Sequence, residues 1–198
     1  MDWLILNELL SITIESKDTN NILHSRNNFI LRIMIIRQTR LDDLASVMAM
    51  YDYARGFMKE HGNGNQWING YPSEELIISE INAKHSFVCE DDNGELLGTF
   101  CYIEGVDPTY LKIYDGEWLN DEPYAVIHRM ASNGKRKGIA AECLEWAYKH
   151  CDNLRVDTHS DNIVMQNLLT KHGFKRCGII YVANGTERIA YHKIVDRG

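Results

Sequence analysis

Arg129-Met130-Ala131-Ser132-Asn133-Gly134-Lys135-Arg136-Lys137-Gly138-Ile139-Ala140 is the stretch of this chain best suited to chemistry. It reads as a strand end that passes through a short basic glycine loop into an amphipathic helix. The start of a helix presents backbone N–H groups with no intrahelical partner and the positive end of the helix dipole, so it attracts anions. Three successive cations, Lys135, Arg136 and Lys137, stand in the turn that would face one. The stretch therefore predicts a cradle for a phosphate-bearing ligand; a solvated surface turn is the bland alternative.

The elements that must hold this loop follow from hydrophobic period and turn chemistry. Met34–Gln38 reads as a strand, after which Thr39 can cap a helix carrying Leu41, Leu44, Val47, Met48, Tyr51 and Met58 at helical spacing. A Gly/Asn loop runs from His61 to Trp67, and Pro72-Ser73 starts a second helix that ends near Ile81. Ser86–Glu90 and Glu95–Glu104 read as strands joined by a turn at Asn93-Gly94, and Tyr124–Ala131 as another strand. Ile139, Ala140, Cys143, Leu144 and Ala147 form one apolar helical stripe. An extended segment follows from Asn153 to His159. Val164, Leu168 and Leu169 then give a last helix its buried face, with Gly173 just past its end. Phe174–Val182 and Arg188–Ile194 close the chain as strands joined at Asn184-Gly185. Strands with interspersed helices predict an α/β fold, a mixed sheet with helices on both faces.

Composition bounds the function. The chain has 198 residues, 44% hydrophobic and 25% charged, enough for one enzyme-sized core. A formal net charge of −7 argues against nonspecific nucleic-acid binding, because a phosphate backbone calls for a broad basic face. The 5 cysteines, Cys89, Cys101, Cys143, Cys151 and Cys177, form no CxxC pair, which favours reduced thiols and a cytoplasmic protein. No metal is expected, since no four-ligand set occurs at the usual spacing. Residues 1–33 read as an N-terminal extension with a short helix at Trp3–Leu10. Its apolar run is too short to span a membrane and lacks a signal's basic start. Residues 34–198 read as the functional domain.

Lys135-x-x-Gly138-x-Ala140, followed by Asn162-Ile163-Val164-Met165-Gln166-Asn167-Leu168-Leu169-Thr170-Lys171-His172-Gly173-Phe174, resembles the GNAT family of acetyl-coenzyme A (acetyl-CoA) dependent N-acetyltransferases. The first block is similar to that family's pyrophosphate motif and the second to its Asn-x-x-Ala/Met-x-x-Leu-Tyr-x-Lys-x-Gly-Phe segment. The resemblance spans Met34 to Ile194. It implies a mixed, mostly antiparallel central sheet whose two central strands splay apart, with the pantetheine arm of acetyl-CoA in the gap.

On that resemblance, Met130 and Ala131 would hydrogen-bond the pantetheine arm. The backbone N–H groups of Arg136, Lys137, Gly138, Ile139 and Ala140 would hold the pyrophosphate, with Gly138 allowing close approach. Lys135 or Lys137 would add charge, Asn162 would meet a pantetheine amide, and Lys171 would lie near the nucleotide. A helix cap and a solvated charge are the plainer readings of Asn162 and Lys171. His128 stands where the family often has its general base; a structural strand histidine is the alternative. Leu169 replaces the tyrosine that commonly protonates the departing thiolate, so Tyr181 becomes the candidate acid, against a packing role at a strand rim.

The acceptor pocket is expected to use Trp67, Tyr51, Tyr53, Arg55 and the segment Tyr114-Asp115-Gly116-Glu117-Trp118, whose acids suit a cationic amine. These readings together predict acetyl transfer to a primary amine of a small molecule or amino acid. A non-catalytic acyl-CoA sensor and a protein N-acetyltransferase are the alternatives. Neither a nucleic-acid nor a membrane partner is expected, and a homodimer is suggested by family analogy alone.

Overall fold

In the computed structural model, residues 34–195 are described; the expected helix at Trp3–Leu10 lies outside them. The elements are β1 (Met34–Gln38), α1 (Leu44–Glu60), α2 (Glu74–Asn82), β2 (Ser86–Asp91), β3 (Leu96–Glu104), β4 (Ala125–Ser132), α3 (Ile139–His150), β5 (Asn153–Thr158), α4 (Ile163–Lys171), β6 (Lys175–Tyr181) and β7 (Glu187–Ile194). They match the expected order. Strands align as β1-β2-β3-β4-β5-β7-β6, antiparallel everywhere except between β4 and β5.

That one parallel pair creates the site. Ala125, Val126 and Ile127 pair with Leu154, Arg155 and Val156, and pairing then stops. Beyond this point β4 continues along β3, through Thr99↔Ala131 and Gly98↔Ser132, while β5 continues along β7, through Asp157↔Ala190 and Thr158↔Ile189. The two strands diverge and open a wedge whose apex is at Ile127 and Val156. A bulge in β4 sharpens the split. Between Thr99↔Ala131 and Cys101↔His128 the strand carries one residue more than its partner, and Arg129 takes up the excess with φ 51°. A side chain in that left-handed region is uncommon, and surrounding contacts must hold it there.

Helices cover both faces. On one, Cys143, Leu144 and Ala147 of α3 and Leu169 of α4 pack with Leu97, Ile127, Leu154 and Val156. On the other, Val47, Met50 and Tyr51 of α1 and Ile77 and Ile81 of α2 pack with Val88 and Ala131. Tyr110, Tyr124, Val126, Ile180 and Ala190 form a smaller core beneath the long β3–β4 connection. Fully burying a side chain such as Leu169 contributes about 2 kcal/mol, and such burial clamps α3 and α4 to the sheet.

Several local expectations are corrected. Thr39 does not cap α1: it is buried, and its Oγ1 lies 2.8 Å from Ser86 Oγ. A 3₁₀ turn at Leu41–Asp43 precedes the helix instead, with Asp43 accepting from the Arg40 N–H at 2.7 Å, and it leaves Leu41 exposed. Val164 is also exposed, while Leu169 is fully buried. Ser73 caps α2 as expected, accepting from the Leu76 N–H. Gly173, at φ 79°, follows the end of α4. No described helix is long and apolar enough to cross a membrane.

Candidate active site

The wedge opens into a cleft of about 1200 Å³ whose two ends differ in charge. At one end stands the loop between β4 and α3. Asn133 shapes it, donating through Nδ2 to the Leu96 carbonyl at 2.9 Å and accepting from the Lys135 N–H at 3.0 Å. Gly138 is the N-cap of α3 at φ 88°, and no side chain caps the helix. The uncapped first turn leaves backbone donors for an external acceptor. A Cβ at Gly138 would meet no protein atom within 4 Å, so within the fold it is the left-handed backbone that calls for glycine, and the space in front of it is open to a ligand. Arg136 donates to Glu142 at 2.6 Å through Nη2, while its Nη1 is buried with no hydrogen-bond partner among the described residues. Thr158 Oγ1, on the opposite wall, is likewise buried and unpartnered. Buried donors left unpaired are costly. This donor set fits the pyrophosphate and amide groups of a coenzyme A thioester.

Not every residue expected at this end is there. Met130, Ala131, Arg136, Lys137, Gly138, Ile139, Ala140 and Asn162 line the cleft. Lys135 does not; it is exposed and ion-paired with Glu95. Lys171 is exposed at the end of α4, away from the cleft wall. Asn162 is the cap of its plainer reading, its Oδ1 accepting from the Met165 N–H at 3.0 Å; its Nδ2 donates to Gln66 Oε1 at 2.9 Å within the cleft.

At the other end, His128 stands where β4 and β5 part. Its Nε2 lies 2.8 Å from Asp107 Oδ2 and its Nδ1 3.7 Å from Asp157 Oδ1. Asp107 comes from the β3–β4 connection and also accepts from the Thr109 N–H at 2.8 Å. Burial alone would raise the Asp107 carboxyl, but the bonds from His128 and Thr109 hold it down at about 2. An ionised carboxylate only accepts, so Nε2 carries a proton, and in the neutral ring Nδ1 keeps the lone pair. Asp157 is held in turn by the Tyr110 hydroxyl at 2.6 Å and faces Arg188 Nε at 3.8 Å. Burial, and then the Asp157 charge, push the Tyr110 hydroxyl well above its ordinary value, so Tyr110 remains a donor.

The connection between α1 and α2 roofs this end with Trp67, Ile68 and Tyr71. Gln66 fastens the roof: its Oε1 accepts from Asn63 at 2.8 Å as well as from Asn162, and its carbonyl accepts from Arg188 Nη2 at 3.2 Å. Arg129 fastens it too, donating to the Tyr71 hydroxyl and to Glu80, each at 2.9 Å. These contacts hold the arginine in its bulge.

Three sequence expectations change here. Tyr181 lies outside the cleft wall, half exposed on β6 with its ring edge-on to Tyr114 at 5.2 Å. Asp115 and Glu117 also lie outside it, because their segment adds to β6 through a Tyr114↔Ile179 bridge and a Glu117 N–H to Cys177 carbonyl bond of 3.0 Å. Tyr53 and Trp67 line the cleft, whereas Tyr51 is fully buried and Arg55 bonds the Tyr71 carbonyl at 3.1 Å. Asp107, Asp157 and Arg188 were not foreseen. Asp157 fell in a recognised strand with no motif to mark it, and Asp107 sits in an irregular connection 21 residues before the histidine it touches.

The fold that forms this cleft has known counterparts. The acetyltransferase (GNAT) family model matches residues 48–174. The chain belongs to this family. A GNAT family acetyltransferase from Streptococcus agalactiae 2603 is 31% identical, with a TM-score of 0.73 over 83% of this chain and 96% of the other. A GNAT family acetyltransferase from Listeria monocytogenes is 19% identical and has a TM-score of 0.63 over 83% of this chain and 99% of its own. A Staphylococcus aureus acetyltransferase at 23% identity gives 0.60 over 82% and 99%. No curated protein matches the chain significantly in sequence. The GNAT fold and acetyl-CoA use therefore follow from membership.

Proposed function

We propose that the protein transfers an acetyl group from acetyl-CoA to a primary amine of a small molecule by direct attack. The observation that carries this reading is the contact of His128 with ionised Asp107 at the fork of β4 and β5, in the same cleft as the uncapped start of α3.

The residues divide the task. The loop Arg136–Ala140 holds the pyrophosphate on backbone N–H groups, with Arg136 Nη1 and Lys137 adding charge. Met130 and Ala131 offer strand edge to the pantetheine arm, and Thr158 and Asn162 face it from the far wall. Bound acetyl-CoA supplies an activated thioester. An amine near pKa 10 is mostly protonated at neutral pH, so His128 Nδ1 takes its proton and Asp107 stabilises the resulting imidazolium. A coenzyme thiolate near pKa 8.5 leaves without assistance from a protein acid, consistent with Leu169 in the core and Tyr181 outside the cleft.

Titration calorimetry with acetyl-CoA, followed by measurement of thiol release with a panel of small amines, tests the reading. Binding with amine-dependent thiol release is expected. Absence of binding refutes the cradle assignment, and binding without release for any amine refutes the acceptor assignment.

A further inference from the structure

The charged residues of the cleft sort by end. Arg136 is paired with Glu142 at 2.6 Å, so Lys137 and the uncapped start of α3 are what make the coenzyme end positive. At the acceptor end stand Asp107, Asp157, Arg129, Arg188 and His128. Both arginines there already face a carboxylate: Arg129 is 2.9 Å from Glu80, and Arg188 is 3.8 Å from Asp157. Arg188 is further occupied by the Thr186 hydroxyl and the Glu187 and Gln66 carbonyls at 3.0, 2.9 and 3.2 Å. Asp107 remains. Its partner is His128, which must be neutral to accept a proton, so in the reactive state the Asp107 charge is uncompensated. The end where the amine arrives is therefore net negative.

This sets a condition on the acceptor. An amine loses its proton at His128 Nδ1, which places it beside Asp157, with Asp107 across the imidazole ring on Nε2. An α-amino acid would bring its own carboxylate there, two bonds from the nitrogen. Asp157 beside it and the uncompensated Asp107 across the ring both repel a carboxylate in this partly buried site, and both arginines already face carboxylates of their own. The uncharged side chains of the cleft wall include Trp67, Ile68, Tyr71 and Val182 beside the polar Gln66, Asn69 and Thr109, and the rings suit an uncharged body or a second cation held against a ring face.

We infer that the acceptor is a primary amine without a neighbouring carboxylate, an arylalkylamine or alkyl diamine in chemical class, and that the free α-amino group of an amino acid is rejected. This deepens the N-acetyltransferase reading and rests on it.

Matched pairs that differ by one carboxylate test it: phenethylamine with phenylalanine, tyramine with tyrosine, tryptamine with tryptophan, putrescine with ornithine. With the full chain and saturating acetyl-CoA, kcat/KM for the preferred amine is expected to exceed that of its carboxylated partner by about tenfold or more. Trp67 lines the cleft, so quenching of tryptophan fluorescence in the complex with product CoA reads binding of the same pairs without turnover and should show the same order. In Asp107→Asn the ratio within each pair should shrink, even though both rates fall. A carboxylated member that matches or exceeds its amine overturns the inference, as does a ratio that Asp107→Asn leaves unchanged. Acetyl-CoA binding with no acetylation of any pair overturns the acceptor class while the cradle stands. Failure to bind acetyl-CoA overturns the underlying reading itself.

Discussion

His128 Nε2 and Asp107 Oδ2 are 2.8 Å apart, although one lies on β4 and the other in the irregular connection before it. The contact fixes which nitrogen holds the proton. His128→Ala should lower kcat about a hundredfold or more while the dissociation constant for acetyl-CoA stays within twofold. Asp107→Asn, whose amide can pair with either tautomer, should lower kcat about tenfold. Steady-state kinetics beside calorimetry checks both, and parental rates in either variant would remove that residue from the mechanism.

Arg136 and Lys135 are neighbours in sequence with opposite surroundings. Arg136 lines the cleft with a buried, unpaired Nη1, while Lys135 is ion-paired with Glu95 on the surface. Arg136→Ala should weaken acetyl-CoA binding about tenfold, the scale of one charge-assisted hydrogen bond. Lys135→Ala should change it less than twofold. Calorimetry on the two variants separates them; equal losses would mean that the loop binds through diffuse charge rather than through a placed guanidinium.

Gly138 sits at φ 88° with open space where a Cβ would point. Substitution therefore strains the backbone rather than clashing. Gly138→Ala should cost about 1 kcal/mol of stability, and Gly138→Val, with its β-branch, more. Both should weaken acetyl-CoA binding in the same order, because the strain relaxes by turning the first N–H groups of α3. Unfolding midpoints and binding constants measured together check this, and a Val variant with parental affinity would refute the link.

His192 is fully buried between the Leu119 N–H, 3.1 Å from its Nδ1, and Asn153 Oδ1 on its Nε2. Nδ1 must accept, so protonation would set two donors against each other. Burial, and then the nearby Arg155 charge, push its pKa down from 6.5 to about 4. Between those values the unfolded chain binds a proton that the folded chain refuses, so stability falls as pH falls from 6.5 to about 4, by up to about 3 kcal/mol. Asp107, depressed from 3.8 to about 2, adds a further loss below pH 4. Urea unfolding at pH 7 and pH 4.5 measures the slope, and His192→Gln should flatten it above pH 4. An unchanged slope would assign the acid sensitivity to other groups.

Local signals carried much of this protein. Hydrophobic period placed the helices and strands, because an amphipathic face has to repeat at 3.6 or 2 residues to reach a core. The uncapped glycine start of α3 and the Asn162 cap were legible because a helix end and its partners lie within a few residues. His128 could be nominated from its spacing to Met130 alone. Tertiary structure decided what surrounds it. Asp107 and Asp157 reach the histidine from 21 and 29 residues away, one from a loop with no periodicity and the other across the single parallel pairing of the sheet. The same long-range packing carried Asp115, Glu117 and Tyr181 away from the cleft, since the segment of Tyr114 bonds to the edge of β6 rather than folding over the wedge. Contacts local in sequence leave a pattern that can be read along the chain; the acidic acceptor end is made by contacts that are not, and only the folded sheet brings them together.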